Sequence, residues 1–303
     1  MANYDVIVCG NISVDIIFSD FKKFPGPGEE IYCDQFEFTC GGLYNTAVTL
    51  SRLGLKVAIV GVVGNDILSR FVLENLEKEG VFVEFLKVFD YPMQSLSVAF
   101  NYENDRSIIS YEDKVKNFDM EAYINSVMDK VNTNVLHISA TKMAESTIDI
   151  ANKRNILVSI DVSWDEEWLR SLKLKRIIKK SDLFTPNLKE ALIITGEEDG
   201  KKALKQLRLL NSNNNVIVKL GSEGAIYYDN DEIVSVTAMK TKVIDTTGAG
   251  DVFAGGVITG LLKKFELKDA VKLGNYCGGY SVRGLGGTQT SPYWNQVKDE
   301  FLH

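Results

Sequence analysis

Histidine is almost absent: His137 and the terminal His303 are the only two in 303 residues. A Ser–His–Asp hydrolase would have to rest on His137, whose apolar surroundings read as a core site with its hydrogen bonds satisfied. A His-rich zinc site cannot be built. Proline is scarce and no Ser/Gly-rich tract occurs, so no flexible linker is expected. The length suits one large α/β domain or two modest ones. The four cysteines, Cys9, Cys33, Cys40 and Cys277, form no C-x-x-C pair, which fits a reducing, cytoplasmic setting. No basic stretch leads into an apolar one near the start, and no apolar run approaches the roughly eighteen residues of a membrane span. Positive charge is in deficit: a net charge of −7 and a pI near 5.1 argue against a nucleic-acid surface. The densest basic run, Lys173, Lys175, Arg176, Lys179 and Lys180, reads as a solvated helix face. Neither G-x-x-x-x-G-K-[ST] nor G-x-G-x-x-G is present, which removes a P-loop kinase and a dinucleotide-binding oxidoreductase.

What is present is a packed-core composition, 45% hydrophobic and 25% charged. Short β-branched runs at residues 4–9, 57–63, 135–139, 156–160, 183–185 and 216–220 alternate with helical patterns at 45–53, 66–79, 120–130, 145–153 and 189–195. That rhythm predicts a parallel sheet with helices on both faces. Residues 30–39, 81–87, 96–101 and 107–111 are strand-like without helices between them. They predict a small antiparallel sheet inserted as a lid.

The most informative segment is Asp245-Thr246-Thr247-Gly248-Ala249-Gly250-Asp251, opening an apolar, small-residue helix over 252–263. Gly248, Ala249 and Gly250 leave backbone N–H groups open at a helix start, a nest for an anion. Asp251 has two readings. It caps the helix, or it accepts the proton of an attacking hydroxyl while the nest takes the transferred phosphoryl.

At this point the sequence resembles the ribokinase-like family of carbohydrate and nucleoside kinases, also called the PfkB family, whose D-T-x-G-A-G-D pattern stands here in full. The resemblance implies that Asp251 is the catalytic base and Gly248–Gly250 the anion hole. It extends to Gly10-Asn11-Ile12-Ser13-Val14-Asp15. The acid, expected at the carboxyl end of a parallel strand, would hold substrate hydroxyls, with Ser13 beside it. Cys40-Gly41-Gly42-Leu43-Tyr44-Asn45 is similar to the family's G-G-x-x-x-N, one residue shorter. Either the turn is shortened or Cys40 takes the first glycine's place; the second, which is favoured, keeps Gly41 and Asn45 in register, and the resemblance puts Gly41, Gly42 and Asn45 on the substrate side. Arg106, beside Glu103, Asn104 and Asp105, either reaches a ligand from the lid or is simply solvated.

On the nucleotide side, Asn187 and Glu190 form an N-x-x-E element. It reads as a capping box, and the resemblance makes it an organiser of Mg²⁺ and the ATP phosphates through water. Lys219, Gly221, Ser222 and Gly224 resemble the nucleotide loop, although such glycines also serve plain turns. Thr246 adjoins the phosphates, and Asn275 falls where the family contacts the base. Asp245, Thr247, Ser281 and Gly286 match a region that binds a monovalent cation, K⁺, through backbone oxygens. Asp161, ending a strand, faces the same crevice.

The reading is thus a ribokinase-like three-layer α/β/α domain spanning 1–303. Its sheet is mostly parallel, and its antiparallel lid is inserted at about 12–40 and 81–113. It would move the γ-phosphate of ATP to a sugar hydroxyl, with a nucleoside as the alternative acceptor. A catalytically silent sensor on the same fold is the rival, but a sensor can dispense with the base and nest, and both are present. Open lid edges predict a homodimer through the lid.

Overall fold

From Val6 onward every side chain of β1 (Ala2–Cys9) is buried, as in a strand covered on both faces. β1 pairs in parallel with β4 (Val57–Val63) on one side and β8 (Val131–Ser139) on the other. Beyond β8 follow β9 (Leu157–Asp161), β10 (Leu183–Phe184) and β11 (Asn215–Lys219), all parallel. β12 (Ala225–Asp229) and β13 (Glu232–Val236) then close that edge antiparallel. The computed structural model describes residues 1–102, 105–210 and 215–301. Among these, the sheet has nine strands in the order β13-β12-β11-β10-β9-β8-β1-β4-β5, with β5 (Phe82–Val88) at the far edge. Glu103, Asn104 and His303 lie outside the described residues.

Alternation along the strands sorts side chains to two faces. Ile7, Cys9, Leu136 and Ile138 face α3 (Met120–Met128), α4 (Ala144–Lys153), α5 (Glu166–Leu169), α6 (Leu172–Lys180), α7 (Leu188–Thr195) and α8 (Gly200–Leu210). Val6, Val8 and Val135 face α1 (Tyr44–Arg52), α2 (Ile67–Lys78), α9 (Ala249–Leu262) and α10 (Leu267–Ser281). α11 (Trp294–Phe301) packs on α10. α9 and α10 approach so closely that a Cβ on Gly256 would lie 2.8 Å from the Gly274 Cα. The basic run of α6 is the solvated face expected, with Lys180 paired to Asp149 at 2.8 Å and to Glu145 at 3.0 Å. Among the described residues no helix is long and apolar enough to cross a membrane.

The chain runs outward from β1 to β4 and β5, then returns through α3 to β8 on the other side of β1. β1 and β8 therefore flank a topological switch point, where the carboxyl ends of the strands open a crevice. Over it lies the second sheet, β3-β2-β6-β7, made of β2 (Ile12–Ser19), β3 (Gln35–Gly42), β6 (Ser95–Tyr102) and β7 (Asp105–Glu112).

Three expectations change here. The strand at 81–87 is β5, the edge of the central sheet, in parallel register with β4; the second lid insertion is therefore β6–β7. An edge strand has one covered face, so its alternation imitates that of a lid strand. The lid is also mixed rather than antiparallel. Two antiparallel hairpins, β2–β3 and β6–β7, join through parallel pairing of Val14–Phe18 with Leu96–Phe100. Asp15 does not end a parallel strand of the central sheet. β1 stops at Cys9, and Asp15 sits inside lid strand β2 opposite Thr39.

Candidate active site

The turn into α9 is shaped by what cannot fit there. Gly248, at the N-cap, has φ +69, a left-handed conformation that side chains resist. A Cβ on it would lie 2.6 Å from the Gly287 Cα and 2.8 Å from Asn45 Nδ2. Asp251 stands three residues on, in the first helical turn, and makes no capping bond. Its Oδ2 instead accepts a hydrogen bond from Asn45 Nδ2 at 3.1 Å. Burial pushes its pKa up to about 7, and the charge of Asp161 pushes the same way; Asn45, Lys219 and Arg106 oppose the shift. A carboxylate so poised is a base near neutrality. The Asn45 Oδ1 is buried and has no partner among the described residues.

The lid supplies the second cluster. Asp15 is buried and its pKa is raised to about 6, first by loss of solvent. The Ser13 hydroxyl, which donates to Oδ1 at 3.2 Å, and the Arg106 charge pull it down. Gly41 lies directly over this carboxyl: a Cβ there would be 2.2 Å from Asp15 Oδ2. Gly42 ends β3 with φ +64, and Asn45 lies in the first turn of α1. Cys40 is buried in β3.

Lid and catalytic turn touch through two cross-strand neighbours, Asn101 on β6 and Arg106 on β7. Asn101 Nδ2 donates to Asp245 Oδ1 at 3.0 Å, and Arg106 Nη1 donates to Thr246 Oγ1 at 3.2 Å. Arg106 is thus more than a solvated hairpin residue. The Asp245 carboxylate ties the turn together, accepting from Thr247 N at 2.9 Å, Thr247 Oγ1 at 2.8 Å and Gly286 N at 2.8 Å. The Ser281 carbonyl accepts from Thr290 Oγ1 at 2.9 Å. Of the residues expected around a monovalent cation, Asp245, Thr247 and Gly286 are thus joined by hydrogen bonds, and Asp245 N donates to the carbonyl of Val282, next to Ser281, at 3.3 Å.

On the far side, Asn187 and Glu190 make the capping box in full: Glu190 N donates to Asn187 Oδ1 at 2.9 Å, and Asn187 N donates to Glu190 Oε2 at 2.8 Å. Glu190 is buried and its pKa is pushed up to about 7 by loss of solvent. Lys219 opposes the shift and Asp161 reinforces it. Lys219 ends β11, and a Cβ on Gly250 would lie 2.8 Å from its Nζ. Asp161, Glu190, Asp251 and Lys219 thus share one crevice. His137 lies beneath it, fully buried. Its Nδ1 is 3.0 Å from Ser159 Oγ, and burial lowers its pKa to about 4. It is a core histidine only half satisfied, since its Nε2 meets no partner among the described residues.

Gly221, Ser222 and Gly224 form a short 3₁₀ turn in which Ser222 is exposed. This turn and Asn275 meet at one segment. A Cβ on Gly224 would strike the Val236 carbonyl, and Asn275 Nδ2 donates to that same oxygen at 3.0 Å and to Thr237 O at 3.3 Å. Beside them opens a cleft of about 440 Å³ lined by Thr237, Ala238, Met239, Lys272, Asn275 and Tyr276, among others.

Sequence reasoning missed Asn101, Gly287 and Arg52. Arg52 holds the glycine-rich tail through Thr288 O and, at 3.0 Å, Ser291 O, and is itself paired with Glu79 at 2.7 Å. Gly287 falls within the glycine-rich stretch 281–290, but no motif announces Asn101 or Arg52; each of the three matters through a contact distant in sequence.

Comparisons with known proteins bear on the family and the fold. The model of the pfkB family carbohydrate kinases matches residues 4–294. The chain is 28% identical to an ATP-dependent 6-phosphofructokinase of Thermoanaerobacterium thermosaccharolyticum, covering 98% of this chain and 94% of that one. It is 29% identical to a ribokinase of Lactococcus lactis, covering 97% and 95%. Its fold matches that of Arabidopsis thaliana ribokinase complexed with ribose and ATP, with a TM-score of 0.79 over the whole of both chains at 20% identity.

Proposed function

The chain belongs to the pfkB family of carbohydrate kinases, and from that premise we propose that it moves the γ-phosphate of ATP onto a hydroxyl of a small sugar of the ribose, fructose or ketodeoxygluconate kind. The observation that carries the proposal is the placement of Asp251. Its carboxylate is held by Asn45 in the first turn of the helix that opens at the Gly248–Gly250 nest, and the Arg106 charge acts on both it and the lid carboxyl of Asp15. In this reading Asp15, Ser13, Gly41 and Asn45 hold the acceptor, and Arg106 closes over it. Asp251 takes the hydroxyl proton as the acceptor oxygen bonds to the γ-phosphorus, and the bridging oxygen leaves with ADP. The nest's N–H groups meet the charge that develops on the phosphoryl oxygens.

The crevice suits Mg·ATP. Among the described residues no three acidic, histidine or cysteine groups stand ready to bind a metal directly. Magnesium would therefore be held through water and phosphate oxygens, with Glu190 and Asn187 orienting them; its contribution when bound is to neutralise phosphate charge. Gly221, Ser222, Gly224 and Asn275 border the base, and the region of Asp245, Thr247, Ser281 and Gly286 offers backbone oxygens to K⁺. Exposed Phe36, Ile109 and Tyr111 on the lid, beside its open β3 and β7 edges, support a homodimer through the lid; a monodisperse monomer at micromolar concentration in solution scattering would refute it.

The test is incubation with Mg·ATP and a panel of sugars, sugar acids, sugar phosphates and nucleosides, with each product identified by mass spectrometry. A phosphorylated sugar supports the reading. A phosphorylated nucleoside would replace the acceptor, and binding without any product would favour a sensor.

A further inference from the structure

Asp161 bears electrostatically on both Glu190 and Asp251 in the crevice, and Lys219 lies within range of the same two carboxyls. Such an amine ordinarily forms a close ion pair with one of its acids. Among the described residues Lys219 makes none; its Nζ rests over the glycine nest instead, 2.8 Å from where a Gly250 Cβ would stand. Two features hold it there. Lys219 is the last residue of β11, with its N–H donating to Pro186 O at 2.9 Å. Residue 250 is also a glycine, so nothing separates the ammonium from the backbone N–H groups of the turn. A cation held this close to the N–H groups at a helix start repels them unless an anion lies between.

We propose that Lys219 is a catalytic residue whose side-chain ammonium, rather than its place in the nucleotide loop, contacts the phosphoryl group during transfer. This rests on the kinase reading above and adds a charged group to it. As the acceptor O–P bond forms and the bridging O–P bond breaks, negative charge on the phosphoryl oxygens is met by the nest on one side and the Lys219 ammonium on the other. The proton of the acceptor hydroxyl goes to Asp251, and Lys219 keeps its own. Proximity to Lys219 also favours ionised Asp251, so one side chain serves both the phosphoryl group and the base.

The test uses Lys219→Met and Lys219→Ala in the full-length protein, with near-ultraviolet circular dichroism and melting temperature as controls for folding. Lys219→Met is expected to lower kcat about 100-fold or more, with the acceptor KM changed by less than about threefold. Calorimetry supplies a readout without turnover: affinity for the β,γ-imido analogue of ATP should fall about tenfold or more while affinity for ADP is nearly unchanged. Ethylammonium should restore part of the activity of Lys219→Ala. A folded Lys219→Met variant with near-wild-type kcat and an undiminished preference for the triphosphate analogue would overturn the proposal. If the wild-type protein itself transfers phosphate to no acceptor, the underlying kinase reading fails instead.

Discussion

Asn45 and Asp251 lie 206 positions apart in the sequence, yet the amide of one donates to the carboxylate of the other at 3.1 Å. That bond joins the helix following the lid's first hairpin to the helix that opens at the glycine turn. In the proposed reading, the acceptor side and the phosphoryl side of the crevice meet through it. Gly248 and Gly287 both lie so close to the Asn45 side chain that a Cβ on either would strike it.

The state of Asp251 gives a pH prediction. With its pKa raised to about 7 by burial, the base is protonated in acid and free above neutrality. Hence kcat/KM for the acceptor should rise about tenfold per pH unit below about 7 and level off above it. A profile flat from about pH 5.5 to 8 would remove Asp251 from the proton transfer.

The same shift carries a cost in stability. Unfolded Asp251 releases its proton near 3.8 and the folded group near 7. Between those values the native state binds more protons, so stability falls as pH rises through the window and is level above it. Asp251→Asn removes that loss. Its melting temperature should exceed the wild type's by roughly 2–4 °C at pH about 8 and by less at pH about 4. An equal difference at both values would contradict the assignment.

Gly41→Ala should damage the acceptor site selectively. The new methyl would stand 2.2 Å from Asp15 Oδ2, displacing the carboxyl rather than merely crowding it. The acceptor KM should rise at least about tenfold while the ATP KM changes little. Initial-rate kinetics with each substrate varied in turn decide the matter.

The contacts of Asn101 with Asp245 and of Arg106 with Thr246 hold the lid against the catalytic turn. Replacing both residues by alanine should loosen that closure and admit water. The ratio of ATP hydrolysis to sugar phosphorylation should then increase about fivefold or more. An unchanged ratio would mean that the contacts do not gate the site.

The layered parallel sheet was legible because buried parallel strands are continuously apolar and their helices amphipathic, as at Val57–Val63 followed by Ile67–Lys78. The glycine turn was legible because Gly248, Gly250 and Asp251 are adjacent in sequence. The place of 82–88 was not, since an edge strand of the main sheet and a strand of the lid each cover one face and share a pattern. Nor was the position of Asp15 on the lid: Gly10 and Asn11 mark a turn, but a turn does not say which sheet receives the next strand. Asn101 was invisible for a simpler reason. A lone asparagine in a strand acquires meaning only when folding brings Asp245 within 3.0 Å.

The central claim is that Asp251 is the base of a phosphoryl transfer, and the most direct test is ADP release with Mg·ATP and the preferred acceptor, wild type against Asp251→Asn. The account predicts that the variant folds, binds nucleotide with little change, and loses a factor of roughly 1,000 or more in kcat. A folded, nucleotide-binding variant with turnover close to wild type would contradict it.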